Sequence, residues 1–538
     1  MTNSSTQPLA IEELKMRYPN SYDWILDGLN LRIEEGERLA LIGSSGCGKS
    51  TVARAIMHLL PSGSVCQGNV FLSGQSLRGL DLSELQQLRG ESVGLVFQDP
   101  MTRLNPLMTV GNHLIDTLCA HRPEKSFEWQ KQRSEELLDK VGIHPGRFHS
   151  FPHEFSGGMR QRLVIALAIA LNPPLVIADE PTTSLDVCVA SQIMTELAGL
   201  CDDLGTALLF ISHDLALAGR WCDRIAILDE GRIREESSSS MLLNQPQSEI
   251  GQRLVSAAKL REVNGSKSIP IQKIDPVIEV ERLRCWHSLP SWPWQCNWLK
   301  AVDDVSFVIP RGETLGVVGA SGCGKSTLCR ALIGLVPIRG GWVKLDGQDL
   351  LNLHGSQLIK TRRSIQMVFQ DPLACFNPKM NIEEAISDPL LIHNVCNKAK
   401  AKEKTRDLLI QVGLCPPEYF QKRFPHELSG GQLQRVAIAR ALSLSPKVLI
   451  CDESVSMLDP EIQSEILMLL KELQLKFGLS ILFVTHDLSL ASGFCDRLIV
   501  LNQGRIIEEG PGQRIFKEPK MSFTQQLVDA CPSLPLIN

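Results

Sequence analysis

Two stretches of the chain match Gly-x4-Gly-Lys-Ser/Thr, a pattern typical of loops that bind the phosphates of a nucleotide. The first is GSSGCGKST at 43–51 and the second is GASGCGKST at 319–327. Glycines let consecutive backbone N–H groups face the phosphates, and the helix that follows presents its positive end to the same anions. Because the pattern occurs twice at equivalent places, chance is a negligible explanation. The sequence therefore predicts two nucleotide-binding sites.

The lysine and the hydroxyl residue of each loop have distinct expected tasks. Lys49 and Lys325 should reach the β- and γ-phosphates, and the hydroxyls of Ser50 and Ser326 should hold Mg²⁺. The loop residues expected to surround ATP are Gly43, Ser44, Ser45, Gly46, Cys47, Gly48, Lys49, Ser50 and Thr51 in the first loop, and Gly319, Ala320, Ser321, Gly322, Cys323, Gly324, Lys325, Ser326 and Thr327 in the second.

An apolar run that ends in two adjacent acids follows each loop further along the chain. Asp179 and Asp452 are expected to bind Mg²⁺ directly or through water. Glu180 and Glu453, the next residues, are positioned to polarise an attacking water. The alternative, in which these acids only cap the following turn, stays open at this point.

A serine followed by two glycines precedes a helical pattern in each half and forms a second anion-binding device. These residues are Ser156, Gly157 and Gly158, and Ser429, Gly430 and Gly431. Such a tripeptide alone could belong to any capping loop. Here, however, the serine lies 24 residues before the acidic Glu in both halves, which strengthens its assignment to the nucleotide site.

These motifs recur because the chain consists of two similar halves. Ser156 and Ser429 are 273 positions apart, and the same interval separates Glu180 from Glu453. An interval this long exceeds the period of a solenoid repeat, so each half should be a domain. We expect domains at residues 1–262 and 277–538, joined by a polar linker at 263–276 that contains Gly, Ser and two Pro.

The pattern within each half predicts an α/β fold. Short apolar runs at Arg38–Ile42 and Thr314–Val318 should be buried strands that feed the glycine-rich loops. Further strands are expected at 175–178, 208–211, 448–451 and 481–484. Alternation with helical patterns favours a mostly parallel core sheet. Amphipathic stretches at Glu135–Val141 and Lys404–Val412 predict a helical subdomain.

Composition narrows the class of protein. The chain has 538 residues, of which 43% are hydrophobic, and its net charge is −5. This balance argues against a nucleic-acid partner. No apolar run reaches the ~18 residues of a membrane span, and the first residues lack the layout of a signal peptide. We therefore expect a cytosolic chain whose membrane association goes through a partner, and whose 16 cysteines are mostly buried thiols.

With these motifs in this order, the chain resembles the ABC ATPase superfamily over nearly all of both halves. The additional motifs that carry the resemblance are the Q-loop residues Gln98 and Gln370, the D-loops Ser184–Asp186 and Met457–Asp459, and the switch residues His213 and His486. The resemblance implies two tandem P-loop domains, each with an antiparallel β subdomain and a helical subdomain. It implies that Glu180, His213, Glu453 and His486 are catalytic. It also implies that Gln98 and Gln370 join Ser50, Asp179, Ser326 and Asp452 around Mg²⁺.

The resemblance further implies a head-to-tail pairing of the halves around two ATP molecules. Site one would join Lys49, Ser50, Asp179, Glu180 and His213 to Ser429 and Gly431, and site two would join Lys325, Ser326, Asp452, Glu453 and His486 to Ser156 and Gly158. Two residues depart from the family pattern. Met159 replaces the signature Gln, and Ser454 replaces the Pro after the catalytic Glu. We expect both sites to hydrolyse ATP, at unequal rates.

Adenine stacking is implied for an aromatic residue before each P-loop. Tyr18 has this place in the first half, and Trp286 or His287 has it in the second. A packed edge-strand aromatic is an equally good explanation. The positions of Cys47 and Cys323, each beside a Lys and a helix N-terminus, predict lowered thiol pKa values and ATPase activity that is sensitive to alkylation.

Four of the eight Trp fall within 286–298, a segment with two Pro. Such a density of aromatic residues fits either an interaction patch or a loop packed on its own domain. The sequence leaves both explanations open.

The segments after the Q-loops, at 98–111 and 370–386, look like the oligopeptide/dipeptide/nickel branch of ABC importers. Arg103, Cys375 and Phe376 depart from that branch. The resemblance implies an energy-coupling subunit at the cytoplasmic face of the inner membrane, bound to two separate permease subunits, with an extracytoplasmic solute-binding protein in the complex. The alternatives are a tandem ATPase that acts on ribosomes or DNA, for which the short linker lacks a basic cluster, and an accessory to phosphonate-degrading enzymes.

Overall fold

The computed structural model describes residues 7–19, 21–100, 103–183, 185–263, 275–289, 297–456 and 458–531. The chain divides into two compact units, one formed mainly by residues 1–259 and the other by residues 260–531. Most of the expected linker, residues 264–274, lies outside the described residues, so its bounds stay a prediction. Residues 290–296, the centre of the Trp-rich segment, also lie outside them.

The first unit is built from ten strands and the helices between them. Its strands are β1 Leu9–Arg17, β2 Leu26–Ile33, β3 Arg38–Ile42, β4 Val65–Leu72, β5 Gln75–Ser76, β6 Val93–Val96, β7 Leu175–Asp179, β8 Ala207–Ser212, β9 Arg224–Asp229 and β10 Arg232–Ser238. Its helices are α1 Lys49–Ile56, α2 Leu82–Glu91, α3 Val110–His121, α4 Phe127–Lys140, α5 Gly157–Ile169, α6 Val187–Leu204, α7 Leu215–Trp221, α8 Ser239–Asn244 and α9 Glu249–Val263.

The second unit repeats this order. Its strands are β11 Pro276–Leu289, β12 Asn297–Pro310, β13 Thr314–Val318, β14 Gly340–Leu345, β15 Gln348–Asp349, β16 Ile365–Val368, β17 Val448–Asp452, β18 Ser480–Thr485, β19 Arg497–Asn502 and β20 Arg505–Pro511. Its helices are α10 Lys325–Leu332, α11 Gly355–Ser364, α12 Pro372–Cys375, α13 Ile382–Ile392, α14 Lys398–Gln411, α15 Pro417–Gln421, α16 Gly430–Leu442, α17 Pro460–Phe477, α18 Leu488–Phe494, α19 Gly512–Lys517 and α20 Ser522–Ala530.

Each unit contains a six-stranded core sheet and a four-stranded antiparallel sheet. The core orders are β10-β9-β3-β8-β7-β6 and β16-β17-β18-β13-β19-β20, and only the outer pairs β9–β10 and β19–β20 are antiparallel. The smaller sheets have the orders β2-β1-β4-β5 and β12-β11-β14-β15. The predicted α/β class, with parallel core sheets and antiparallel β subdomains, is confirmed.

The core strands are apolar because both faces of the sheet are covered. All residues of β8 and β13 are buried. The predicted strands at Arg38–Ile42 and Thr314–Val318 have the predicted bounds, and the other predicted strands are each extended by one or two residues. The predicted helical stretches overlap the second halves of α4 and α14, and each helix ends one residue before the predicted stretch does. Among the described residues, no helix combines the length and apolar composition needed to cross a membrane.

Candidate functional site

Each glycine-rich loop connects a central core strand to a helix. The first runs from the end of β3 to Lys49, the first residue of α1, and Gly48 before it has φ 109°. A side chain at Gly43 would place its Cβ 2.3 Å from the carbonyl oxygen of Leu228. At the matching place, a Cβ on Gly319 would lie 2.2 Å from the carbonyl oxygen of Leu501. The left-handed backbone and these close approaches explain why only glycine fits.

The loop lysines are buried and directed at their own loops. Lys49 is 6% exposed, and its ammonium donates to the carbonyls of Gly43 at 2.8 Å and Ser44 at 2.9 Å. Lys325 is 4% exposed and donates in the same way to Gly319 and Ala320, at 2.8 and 3.0 Å. A shielded cation beside a helix N-terminus provides a strong attraction for phosphate.

A hydroxyl and a carboxylate meet at the end of each loop. Ser50 donates to Asp179 at 3.0 Å, and Ser326 donates to Asp452 at 3.2 Å. The acids stand at the ends of β7 and β17, so the fold joins residues more than a hundred positions apart. Burial raises the pKa of both Asp179 and Asp452, and the serine hydrogen bonds oppose this shift only in part.

Glu180 is held by three polar groups. Its Oε2 accepts hydrogen bonds from Gln98 at 2.9 Å and from Thr183 at 3.0 Å, and Nδ1 of His213 lies 3.2 Å from Oε1. Burial alone would raise the pKa of Glu180, but the hydrogen bond and charge of His213, together with Lys49, outweigh it and hold the pKa below the usual value. An ionised carboxylate is thereby fixed as a proton acceptor.

Glu453 has a different set of neighbours. Its Oε2 accepts from Gln370 at 3.1 Å and lies 3.5 Å from Nδ1 of His486, while Oε1 lies 3.6 Å from the ammonium of Lys325. Burial would raise the pKa of Glu453, but His486 and Lys325 hold it low. The hydroxyl of Ser456, which has the place of Thr183, is buried without a hydrogen-bond partner.

The signature serines cap the helices that follow them. Ser156 caps α5 and accepts from the N–H of Met159 at 3.4 Å. Ser429 caps α16 and accepts from the N–H of Gln432 at 3.4 Å, while the Gln432 side chain accepts from the Ser429 N–H at 3.1 Å. The first unit lacks this reciprocal bond because Met159 has no acceptor.

Close packing explains the signature glycines within each unit. A Cβ on Gly158 would lie 2.5 Å from Val189 in α6, and a Cβ on Gly431 would lie 2.6 Å from Ile462 in α17. Among the described residues, neither signature serine hydrogen-bonds to the P-loop, Asp or Glu of its own unit. Each unit thus assembles its P-loop, acids, Gln and His, and leaves its signature outside that set. The D-loop residues Ser184 and Met457 are not among the described residues.

Thr183 is a site residue that the motif analysis missed. Its signal in the sequence is a hydroxyl three residues after the predicted catalytic Glu, but Ser456 shares that signal and makes no such bond. The difference depends on side-chain orientation, which spacing does not determine.

The aromatic residues before the P-loops differ in their surroundings. The Tyr18 hydroxyl lies 3.1 Å from the Thr51 hydroxyl, which positions the ring at the start of α1. Lys15 pairs with Gln67, and Arg284 pairs with Gly340, which has the place of Gln67 in the second unit. Arg284 therefore has the place of Lys15. Three residues further along each strand, His287, rather than Trp286, has the place of Tyr18. Adenine stacking on Tyr18 and Trp286 stays a prediction.

The expected lowering of the cysteine pKa values is wrong. Cys47 and Cys323 are 8% and 6% exposed and pack within the hydrophobic core under each P-loop. Burial raises the pKa of both thiols, and the neighbouring Lys49 and Lys325 offset only part of that rise. At neutral pH both thiols are therefore mainly protonated, which disfavours their reaction with alkylating agents.

The donor set of each site suits a hard cation. Hydroxyl and carboxylate oxygens are the ligands that Mg²⁺ prefers, and the raised pKa of Asp179 and Asp452 marks buried carboxylates that a cation would stabilise in the charged form. No group of three or more His, Cys, Asp and Glu that could hold a metal occurs in the part of the chain that the structure describes.

Comparison with known proteins agrees with this arrangement. The family described as ABC transporter matches residues 26–183 and 302–456. The chain is 38% identical to the uncharacterized ABC transporter ATP-binding protein YejF of Escherichia coli K12, over 97% of this chain and 98% of that protein. It is 37% identical to the glutathione import ATP-binding protein GsiA of Pectobacterium atrosepticum, over 94% of this chain and 86% of that protein.

A solved structure, cbiO1 from Clostridium perfringens, is described as part of the ABC transporter complex cbiONQ. It aligns with 45% of this chain and 92% of its own, at 30% identity and a TM-score of 0.40.

The two family matches include both P-loops and both pairs of acids, the same residues that each unit brings together. The long relatives extend the similarity over almost the whole chain. The chain belongs to the ABC transporter family, as an ATP-binding member with two nucleotide-binding domains that hydrolyses ATP to drive transport.

Proposed function

We propose that the chain powers an importer for peptides or related small solutes, with glutathione-like thiol peptides and nickel in the same substrate range. The observation that carries the ATP-driven part of this proposal is the repetition, in both units, of a Ser–Asp pair beside a Gln–Glu–His set. The relative named for glutathione import supports the direction and class of transport. The ribosome, DNA and phosphonate alternatives have no comparable support.

The two units would combine to form two composite ATP sites. Site one would consist of the first P-loop, Asp179 and Glu180 together with Ser429 of the second signature. Site two would consist of the second P-loop with Ser156. The support is that each signature serine has no polar contact with its own unit's site and presents a helix N-terminus, which attracts a γ-phosphate. Loss of that phosphate on hydrolysis would remove the attraction that keeps the units closed.

Mg²⁺ would be held by Ser50 and Asp179 in site one and by Ser326 and Asp452 in site two, with Gln98 and Gln370 adjoining. When bound with ATP, the ion supplies charge neutralisation of the phosphates. The carboxylate of Glu180, held by Gln98, Thr183 and His213, would orient a water and accept its proton. Lys49 would bind the β- and γ-phosphates through its ammonium.

A groove in the second unit suits a helix from a permease. It has a volume of ≈ 490 Å³ and lies beside the segment that follows Gln370. Apolar side chains that include Met367, Phe376, Met380 and Ile392 line it together with Arg440. A groove with both apolar and polar side chains, next to a residue that contacts the proposed catalytic Glu, fits a partner whose movement must follow hydrolysis. Two permease subunits would dock the chain at the cytoplasmic face of the membrane, and an extracytoplasmic solute-binding protein would deliver the solute.

The proposal can be tested by co-expressing the chain with candidate permeases and solute-binding proteins of the peptide-importer class. The complex in proteoliposomes should take up glutathione or short peptides when ATP is present on the side of the ATPase. Uptake should be abolished in a matched complex that carries Glu180→Gln and Glu453→Gln. Failure of the chain to bind any such permease, with ATPase activity stimulated by ribosomes or DNA instead, would contradict the importer assignment.

A further inference from the structure

Glu180 and Glu453 both adopt a left-handed backbone conformation. Their φ angles are 47° and 46°, values that cost free energy in any residue except glycine. Each N–H is fixed to the neighbouring core strand by a 2.9 Å hydrogen bond, to the carbonyl of Ile211 in β8 or of Val484 in β18. A strained residue of this kind keeps its place only where the turn that follows it is also restrained.

The first unit restrains that turn with two residues of the turn itself. Pro181 comes directly after Glu180, and its ring fixes φ and so limits the conformations open to the turn. The hydroxyl of Thr183 donates to the Glu180 carboxylate at 3.0 Å. Both restraints therefore act within three residues of the glutamate.

The second unit has a different residue at each of these two places. Ser454 has the place of Pro181, and a serine leaves φ free. Ser456 has the place of Thr183, and its buried hydroxyl has no hydrogen-bond partner among the described residues. The turn after Glu453 therefore depends on contacts from outside it.

Gln463 in α17 supplies such a contact. Its side-chain amide donates to the carbonyl of Val455 at 2.9 Å. Gln463 is 8% exposed and Val455 is 1% exposed, so the bond is shielded from water and is strengthened by its surroundings. The same carbonyl accepts the N–H of Leu458 at 3.2 Å. Together the two bonds fix the middle of the turn that follows Glu453.

The helix that carries Gln463 is a rigid support. α17 has 18 residues, and Ile466 and Leu470 on its buried face are at most 1% exposed. Further along the helix, the Gln474 amide donates to the hydroxyl of Thr314, the first residue of β13, at 2.8 Å. A packed helix that is bonded to the core sheet can hold the turn in a fixed position.

The matching place in the first unit carries no amide side chain. Asp186 and Asp459 are the N-cap residues of α6 and α17. The carbonyl of each accepts, at 2.8 Å, the N–H of the residue four positions later, which is Ala190 in α6 and Gln463 in α17. Ala190 ends in a methyl group, which cannot donate a hydrogen bond. The restraint from the helix thus occurs in the unit whose turn lacks the Pro and the Thr.

We propose that Gln463 is a positioning residue for Glu453, which it keeps aligned for ATP hydrolysis at the second P-loop by holding the Val455 carbonyl. It has the part that Pro181 and Thr183 have in the first unit. This inference rests on the proposed role of Glu453 as the general base.

The test measures the second P-loop alone in the full chain, in a Glu180→Gln background. Gln463→Met keeps the approximate length of the side chain and removes the donor. We expect it to lower kcat by about tenfold and to change the KM for ATP by under about twofold, because the amide acts on the general base rather than on bound ATP. Equilibrium binding of ATP should also change by under about twofold.

Gln474→Met is the matched control. It removes a second buried amide of α17, which donates to the carbonyl of Gly312 and the hydroxyl of Thr314, at the opposite end of β13 from the P-loop. Each variant loses a buried hydrogen bond, so both should lower the Tm. Only Gln463→Met should lower kcat, and Gln474→Met should change it by under about twofold.

Installing the restraints of the first unit provides a measurement in the opposite direction. Ser454→Pro and Ser456→Thr, added to Gln463→Met, should raise kcat by at least about threefold over Gln463→Met alone. If Gln463 only stabilised the fold, the Tm would fall without a separate loss of kcat, and the two turn substitutions would not restore it.

An unchanged kcat in Gln463→Met overturns the proposal, as does an equal loss in Gln474→Met or a failure of the two turn substitutions to raise kcat. The general base is tested separately, by adding Glu453→Gln to the Glu180→Gln background. If hydrolysis is unchanged there, Glu453 is not the base, and its proposed role falls together with that of Gln463. If hydrolysis is abolished there but Gln463→Met has no effect, only the role of Gln463 is refuted. Thermal unfolding verifies that each variant is folded, and Gln463→Ala gives the same comparison with a smaller side chain.

Discussion

The two units share a fold, a motif spacing and a Ser–Asp pair, yet they surround the proposed catalytic carboxylate differently. Glu180 is bound by Gln98, Thr183 and His213, whereas Glu453 lies within 3.6 Å of the P-loop lysine, and the nearby Ser456 hydroxyl makes no bond. A lysine that pairs with the general base is less available to phosphate. Motif spacing thus fixes where the groups lie, and residues outside the motifs decide how well they are oriented.

A second difference concerns the signature helices. α16 begins with a reciprocal cap between Ser429 and Gln432, and α5 begins with Ser156 alone. If the sites are composite, the better-capped helix serves site one, which also holds the better-bound Glu180. Both differences therefore favour site one as the faster site.

The largest expected effect comes from removing both general bases. Glu180→Gln together with Glu453→Gln should lower steady-state ATP hydrolysis by about 1,000-fold, because the glutamine amide cannot accept the proton of the attacking water. Glu180→Gln alone should lower the rate more than Glu453→Gln alone. Equilibrium ATP binding to the double variant serves as the control and should be retained. Unchanged hydrolysis in the double variant would refute the assignment of both bases.

The next effect separates Thr183 from Ser456. In a Glu453→Gln background, Thr183→Val should lower kcat by about tenfold without changing KM, since the lost bond orients the charged Glu180 rather than ATP. In a Glu180→Gln background, Ser456→Ala should change kcat by under about twofold because its hydroxyl bonds nothing. Equal losses in the two backgrounds would remove this difference between the units.

A smaller effect is expected from exchanging the helix-capping residues. Gln432→Met should raise the KM for ATP at site one by about threefold, because a reciprocal cap contributes under about 1 kcal/mol. Met159→Gln should lower the KM at site two by a similar factor. The KM of site one is measured in a Glu453→Gln background and the KM of site two in a Glu180→Gln background, so that only one site hydrolyses ATP in each. If Gln432→Met changed the KM of site two instead, or Met159→Gln changed the KM of site one, the result would contradict the composite arrangement.

The smallest effect is on stability. Because burial raises the pKa of Asp179 and Asp452, their charged forms weaken the fold once the pH exceeds those values. Asp179→Asn and Asp452→Asn should each raise the Tm of the nucleotide-free chain by about 2 °C near pH 8. The gain should shrink as the pH falls toward 4, because the raised pKa values let the native acids take up protons before those of the unfolded chain. Calorimetry at both pH values measures it, and a Tm that falls in both variants would refute the burial argument.

The sequence was sufficient for the parts of the molecule that depend on pattern. The strand at Arg38–Ile42 and the meeting of Ser50 with Asp179 follow from the motifs, because a glycine-rich loop between strand and helix has few alternatives. The thiol pKa of Cys47 was mispredicted because adjacency to Lys49 is visible in a sequence and burial under the loop is not. The hydrogen bond from Arg440 to the Cys375 carbonyl was missed because no motif links these two residues.

The most direct test of the account is a cryo-EM structure of the Glu180→Gln, Glu453→Gln chain with Mg²⁺ and ATP. We predict two ATP molecules, one contacted by Lys49 and Ser429 and the other by Lys325 and Ser156. A structure in which Ser429 lies far from the nucleotide bound at Lys49, or in which Lys49 and Ser156 hold the same ATP, would contradict it.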